Sequence, residues 1–508
     1  MLAAVVASVS SHLCAAEFEA SVPSNITTPD VVQTKTLGTL NFSDGMPSAE
    51  TVSKINDQMF ITRGTTAFLD GIPQASMQAF SKGFTDAGVE YNDWGGIYQN
   101  RLDAKTLLLT ANTTVIYAFA PIELDDNDPV VVEVPSGVLG IVNNANFAYA
   151  GDLGMAGPDA GKGGKYLLVS TDYKGDIPEG YHVIKQDTVG GTIIIRHFAA
   201  PGEEARVSQH LKDNLNMYKL SEKGTAQEEE VFTEVSGVQM NTIHASKADI
   251  YTELDAIVQR EDVGALGEEL TGTLQAIGIE KGKEFNPTDH EKELLDEAAK
   301  LANAYARSLA YSPTDETIFK YEGTDSTWFF PFSHKNADFK VDGTLYKNDR
   351  SMFHYVATFV TPSMVNKDKV GQGTDYVVTA KDSDGEYLTG DHAYTITLPA
   401  GKPAEKFWSF MVYSGQSRSM LETDQRSAGL DSTKEDLKYN EDGSITLVFS
   451  PEAPNGDTSN WVQTLEGKSF NVMFRTYAPT AAWFDETWKL GNFQKVEEDS
   501  RFFSKIFN

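Results

Sequence analysis

A chain of 508 residues, 40% of them hydrophobic, with 28 Phe, 20 Tyr and 6 Trp, can build cores for two or three domains and is not a disordered polymer. Its 73 acidic and 42 basic residues leave a formal charge of −31. With no run of five basic residues, that charge argues against nucleic acid or anionic lipid headgroups as partners. One cysteine, Cys14, excludes an intramolecular disulfide and a zinc–thiolate cluster.

Residues 1–16, MLAAVVASVSSHLCAA, read as a signal peptide with cleavage before Glu17, although no Lys or Arg precedes the apolar run. The expectation is a periplasmic or secreted protein. No later stretch is long and apolar enough to span a bilayer. Residues 17–58, rich in Ser, Thr and Pro, read as an extended N-terminal arm. Residues 59–202 read as helices broken near Gly71-Ile72-Pro73, then a first β domain. Its strands are PVVVEVP (129–135), KYLLVS (165–170) and TIIIRHF (192–198), each short, β-branched and bounded by Gly, Pro or Asp.

Residues 203–320 read as a helical segment. Val207, Leu211, Leu215 and Tyr218 line its first helix. Thr288 and Glu291 form a capping box for a second helix, whose apolar stripe is Leu294, Ala298, Leu301, Tyr305 and Leu309. Residues 321–508 read as a second β domain. Asp342-Gly343, Asp384-Gly385 and Asp442-Gly443 mark hairpin turns. The strands are HYVATFV (354–360), AYTITLP (393–399), FWSFMVY (407–413), SITLVFS (444–450) and FNVMFRTY (470–477). The fold class that follows is mainly β with helical segments, as two tandem jelly-roll-like antiparallel domains.

No motif names a reaction. GMAGPDAGKGGKY (154–166) fails as a phosphate loop, because Gly157 and Gly161 enclose three residues and Gly163 follows Lys162. It remains a strand connection that could bring Lys162 and Lys165 to an anion. Asp382 to Gly385 lacks the later oxygens of a calcium loop. Gly415-Gln416-Ser417-Arg418-Ser419 lacks the second glycine of a nucleophile elbow. His197 and His354 fall in β runs and are the histidines best placed for an interior site.

The arginines carry more information. Arg350, Arg418 and Arg475 sit in or beside apolar strands, and Arg196 lies within TIIIRHF. A buried arginine needs a carboxylate or an anionic ligand. Asp424 and Asp485 are the expected partners; with His354 they are the candidate catalytic groups. Asn460 and Trp461 join the arginines and the two lysines as candidate ligand contacts.

VVVEVPSGVLG (130–140), GPDAGKGGKYLLV (157–169) and EGYHVIKQDT (179–188) resemble a bacterial domain of unknown function catalogued as 1254. TLPAGKPAEKFWSFMVYSGQSRSML (397–421), NEDGSITLVFSPEAP (440–454), NWVQT (460–464) and Trp483-Phe484-Asp485 resemble a second, catalogued as 1214. The resemblance implies tandem jelly-roll-like domains with a helical segment between them, export and homo-oligomers. It implies no reaction. At ANTTVIY (111–117) it leads one to expect an acidic residue, where this chain has Thr113 and Thr114.

Two functions follow as expectations. One is a hydrolase of an anionic small molecule, a phosphoester or pyrophosphate, with Mg²⁺ or Ca²⁺ as cofactor. The other is a non-catalytic carbohydrate-binding or structural envelope oligomer, with Trp94 and Trp461 exposed to stack on sugar rings.

Overall fold

The computed structural model describes residues 20–224, 232–315, 318–332, 336–365 and 370–497. The expected signal peptide, with Cys14, lies outside them. The chain forms two compact units, Met1–Ile61 and Thr62–Asn508. In the first, Val31–Thr34 pairs antiparallel with Gly38–Ser43, which pairs with Met46–Pro47. The expected extended arm therefore contains a small meander. The Thr51 hydroxyl fastens it, accepting from the Asn41 N–H at 2.8 Å and donating to its carbonyl at 3.1 Å.

A helix spans Ala49–Asp86 without interruption at Pro73, so the expected break is absent. An interior proline costs about 3 kcal/mol. Here Ile72, Ala75, Met77 and Phe80 around it have no exposed surface. Burying each large apolar side chain contributes about 1.5–3 kcal/mol, which outweighs the proline.

The second unit contains both β regions. The first is a pair of sheets. One runs Thr233–Glu234, Gly96–Ile97, Val115–Glu123, Gly190–Phe198, Leu139–Asn144, Tyr149–Gly154; the other runs His182–Gln186, Gly164–Ser170, Val130–Val134, Asn216–Lys219. Alternate residues of both enter one core: Ile116, Ala118 and Ala120 with Ile193 and Ile195, against Val130, Val132, Tyr166 and Leu168. Period-2 side chains make this a sandwich. The second β region repeats the plan. Thr374–Thr379, Phe470–Pro479, Ala404–Ser414 and Gly429–Asp431 form one sheet; Trp461–Gln463, Ile445–Ser450, Tyr394–Leu398 and Gln494–Lys495 form the other. Phe410 of the first meets Phe449 of the second at 5.9 Å between ring centroids.

Three expected elements differ. Residues 354–360 are not a strand: the helix Lys347–Val356 contains Arg350 and His354. The helix Glu204–Asn214 ends before Leu215, and Tyr218 belongs to the strand Asn216–Lys219. In the helix Asp289–Tyr311, capped by the Thr288–Glu291 box, the buried stripe is Leu295, Ala298, Ala299, Ala302, Ala306 and Ala310. Leu301 and Tyr305 are exposed. Small residues win the inner face because a backbone lies close: a Cβ on Gly64 would meet the Ala298 Cβ at 2.8 Å. Among the described residues no helix is long and apolar enough to cross a membrane.

Candidate functional site

In Phe470–Pro479, alternation sends Phe474 into the second sandwich and Met473, Arg475 and Tyr477 to the opposite face. Tyr376 stands opposite Arg475 on the neighbouring strand. In Gly190–Phe198, the same alternation sends Ile193 and Ile195 into the first sandwich, leaving Ile194 and Arg196 on the outer face. Arg196 is paired across the ladder with Tyr117, and Ile194 with Ile141. These two outer faces, one from each β region, line a single cavity.

Leu108, Leu109, Thr110 and Asn112 form one wall, fixed by the second region. The Leu108 N–H donates to Ser419 Oγ at 3.1 Å, the Tyr413 hydroxyl to the Ala111 carbonyl at 2.6 Å, and the Asn112 amide to the Tyr477 hydroxyl. Phe332, Phe353, Phe359 and Met364 close another wall. Thr110 and Phe359, at φ 53° and 62°, both adopt the left-handed conformation that costs side-chain-bearing residues about 1–3 kcal/mol and recurs at binding sites.

Arg475 is 2% exposed. Its Nη2 donates to the Thr110 carbonyl at 2.9 Å and the Tyr413 hydroxyl at 2.6 Å. Its Nη1 is buried and has no partner, and neither has Nε of Arg196. Among the described residues no Asp, Glu or His lines the cavity. Burial raises the Tyr117 and Tyr413 hydroxyl pKa values, against the pull of the neighbouring arginines, so both remain neutral at pH 7. The site can therefore offer N–H and O–H donors and net positive charge, but no carboxylate.

Of the residues singled out in the sequence, Arg196 and Arg475 meet here. Arg418 does not line this cavity. Its guanidinium donates to His244 Nε2 at 2.8 Å, the His244 and Tyr355 carbonyls at 2.7 and 3.0 Å, and Ser246 Oγ at 3.1 Å. Asp424 and Asp485 do not reach these arginines: Asp424 accepts from the Gln463 amide at 3.0 Å, and Asp485 from Thr487. Arg350 donates to the Asp70 carbonyl at 3.3 Å. His354 is buried among Phe147, Phe339 and Phe353; burial, with Arg350 adding, pushes its pKa down to about 3.

The His197 Nδ1–H donates to the Phe198 carbonyl at 2.8 Å, and His197 lies outside the cavity lining. Lys162 is exposed, and Lys165 is ion-paired with Glu133. Asn460 holds Lys438 and Thr446 through its amide, and the Trp461 indole donates to the Ser450 carbonyl at 3.0 Å. Trp94, expected on the surface, has no exposed area. Among the described residues no group of three or more His, Cys, Asp or Glu is placed to hold a metal ion.

Sequence reasoning missed Thr110, Asn112, Tyr117, Tyr376 and Tyr477 as site residues. The available signal was a tyrosine two places after Arg475 and a second in the segment where Thr113 and Thr114 replace an expected acid. The Thr114 hydroxyl lies 3.4 Å from that of Tyr477, so this departure falls beside the cavity.

Residues 96–219 match the family described as Protein of unknown function (DUF1254), and residues 373–481 match Protein of unknown function (DUF1214). No curated protein matches the chain. The crystal structure of the VPA0106 protein from Vibrio parahaemolyticus is 19% identical, covers 86% of this chain and all of its own, and superposes with a TM-score of 0.52. That likeness establishes a shared fold. A putative uncharacterized protein from Burkholderia cenocepacia, 12% identical, covers 87% of this chain and 96% of its own at a TM-score of 0.39.

Proposed function

Because the chain carries DUF1254 and DUF1214 domains in tandem, and neither description names a reaction, we propose its function from the cavity: it binds a small organic anion between its two β regions. One observation carries this reading. Arg475 is buried with Nη1 unpartnered, in a cavity that no carboxylate lines among the described residues. Removing a guanidinium from water costs several kcal/mol unless an anion compensates it. The anion would take its charge-assisted hydrogen bonds from Arg475 and Arg196.

Binding is favoured over hydrolysis. Phosphoester or pyrophosphate cleavage needs a nucleophile and a base within reach. Among the described residues, the lining offers the hydroxyls of Thr110, Thr358 and the tyrosines, with no imidazole or carboxylate. A neutral saccharide would leave the cationic wall uncompensated, and neither Trp94 nor Trp461 lines the cavity. Export remains part of the proposal, since the leader implies that the anion is met outside the cytoplasm. An intact mass beginning near Glu17 checks it; an unprocessed Met1 in the secreted form would count against it.

The direct test is thermal stabilisation of the wild-type protein by a panel of organic anions, repeated on Arg475→Met. Stabilisation of the wild type that the variant loses supports the reading. Equal shifts in both would remove Arg475 from the site.

A further inference from the structure

A second chamber adjoins the cavity and shares Phe332, Met364 and Tyr376 with it. These three side chains stand between the two. Beyond them the lining becomes mixed, with Lys320, Ser363, Gln372, Asp375 and Glu486. The inner chamber differs. Apart from its arginine, tyrosine, threonine and asparagine groups, it is walled by leucine, isoleucine, phenylalanine, methionine, alanine and proline. A ligand reaching from the arginines to the outer chamber thus meets donors first, then apolar surface, then polar surface.

We infer that the ligand is an elongated monocarboxylate, its head on Arg475 and Arg196 and its hydrocarbon tail passing Phe332, Met364 and Tyr376 into the outer chamber. This rests on the anion-binding reading and narrows it. The two unpartnered nitrogens, Arg475 Nη1 and Arg196 Nε, match in number the two oxygens of a carboxylate. A phosphate dianion would bring a further oxygen and a further charge against the same apolar walls, where each unpaired polar atom is costly. An ammonium group on the ligand would find no carboxylate in the inner chamber.

The tail should contribute in proportion to its length. Each methylene buried against such walls tightens binding by about three- to fourfold, until the tail reaches the outer chamber's polar rim. The test is calorimetric titration of the full chain with butyrate, octanoate, dodecanoate, octyl phosphate and inorganic phosphate. It uses wild type, Arg475→Met, Met364→Trp and Gln372→Trp. Met364 lines both chambers, whereas Gln372 is an exposed residue that lines only the outer chamber. Gln372→Trp therefore gives a readout even if Met364→Trp fails to fold.

The expected result is affinity rising from butyrate to dodecanoate in the wild type. Gln372→Trp should keep butyrate but lose at least tenfold for dodecanoate, Met364→Trp should lose dodecanoate at least as strongly, and Arg475→Met should lose every carboxylate. Binding of either phosphate ligand in preference to the matching carboxylate overturns the carboxylate assignment while leaving an anion site. Affinity independent of chain length, or unaffected by Gln372→Trp, overturns the tail route. Wild-type titrations without heat for any anion, joined by unchanged melting with all five, overturn the anion reading itself.

Discussion

Two buried arginines in this protein, each with one unpartnered nitrogen, Nε of Arg418 and Nη1 of Arg475, differ in how many other groups they hold, and that difference sets what their removal should do. Arg418 satisfies two carbonyls, a histidine nitrogen and a hydroxyl from residues 244–246 and 355. Arg418→Ala would strand those buried acceptors, and urea unfolding should show a loss of about 3–5 kcal/mol with or without ligand. Arg475 holds one carbonyl and one hydroxyl and lines the candidate site, so its truncation should cost the ligand-free protein less and the liganded protein more. The two titratable residues nearby give pH slopes of opposite sign. His354 has a folded pKa of about 3 against about 6.5 unfolded. The unfolded chain therefore binds more protons between those values, and stability falls as pH drops from about 6.5 toward 3. His354→Leu should flatten that limb in melting curves taken at pH 4 and 7. Glu253 is raised to about 7, chiefly by burial. Its charge destabilises the fold as pH climbs from about 4.5 to 7. Glu253→Gln should thus raise the melting temperature at pH 8 and change little at pH 4.

At the level of elements, the sequence is read well where a strand contrasts sharply with its flanks. Residues 129–135, 165–170, 407–413 and 470–477 all fall on observed strands, because β-branched and aromatic runs between turn residues have few other packings. HYVATFV has the same composition but ends a helix, since burial of Met352, Phe353 and Tyr355 by surrounding elements overrides local propensity. The stripe on Asp289–Tyr311 was misplaced for a related reason. Hydrophobicity alone ranks Leu301 above Ala302, whereas the face that packs inward is the one carrying Ala298, which lies against Gly64 where space is short. The cap of that helix was legible because it is local. Thr288 Oγ1 accepts from the Glu291 N–H at 3.3 Å while Glu291 Oε2 accepts from the Thr288 N–H at 2.8 Å. Thr288→Ala should lower stability by about 1 kcal/mol in denaturant titration.

For the whole molecule, charge is the property most directly readable from composition. With −31 on the chain, self-repulsion opposes compaction, and screening should relieve it. The melting temperature is expected to rise between 10 mM and 0.5 M NaCl; a fall over that range would show that attractive pairs dominate instead. The cavity was much less legible. Arg196 and Arg475 were noticeable as cations in apolar strands, yet 279 positions separate them, and no spacing rule joins residues that far apart. The partners of Arg475 are a tyrosine hydroxyl and a backbone carbonyl, which leave no charge pattern to find. The expected carboxylates, Asp424 and Asp485, were chosen for nearness in sequence, whereas the sheet register places Tyr376 opposite Arg475 instead.

The walls of the cavity come from both β regions, and this constrains how such a protein can be divided or inherited. A fragment ending in the helical segment would keep Tyr117, Ile141 and Arg196 but present them on a bare sheet face. A fragment beginning after it would expose Tyr376, Arg475 and Tyr477. Each piece would carry half a receptor and a new sticky surface. Joining the two modules on one chain fixes their ratio at one to one and delivers them together. A gene that lost either module would lose the pocket along with it.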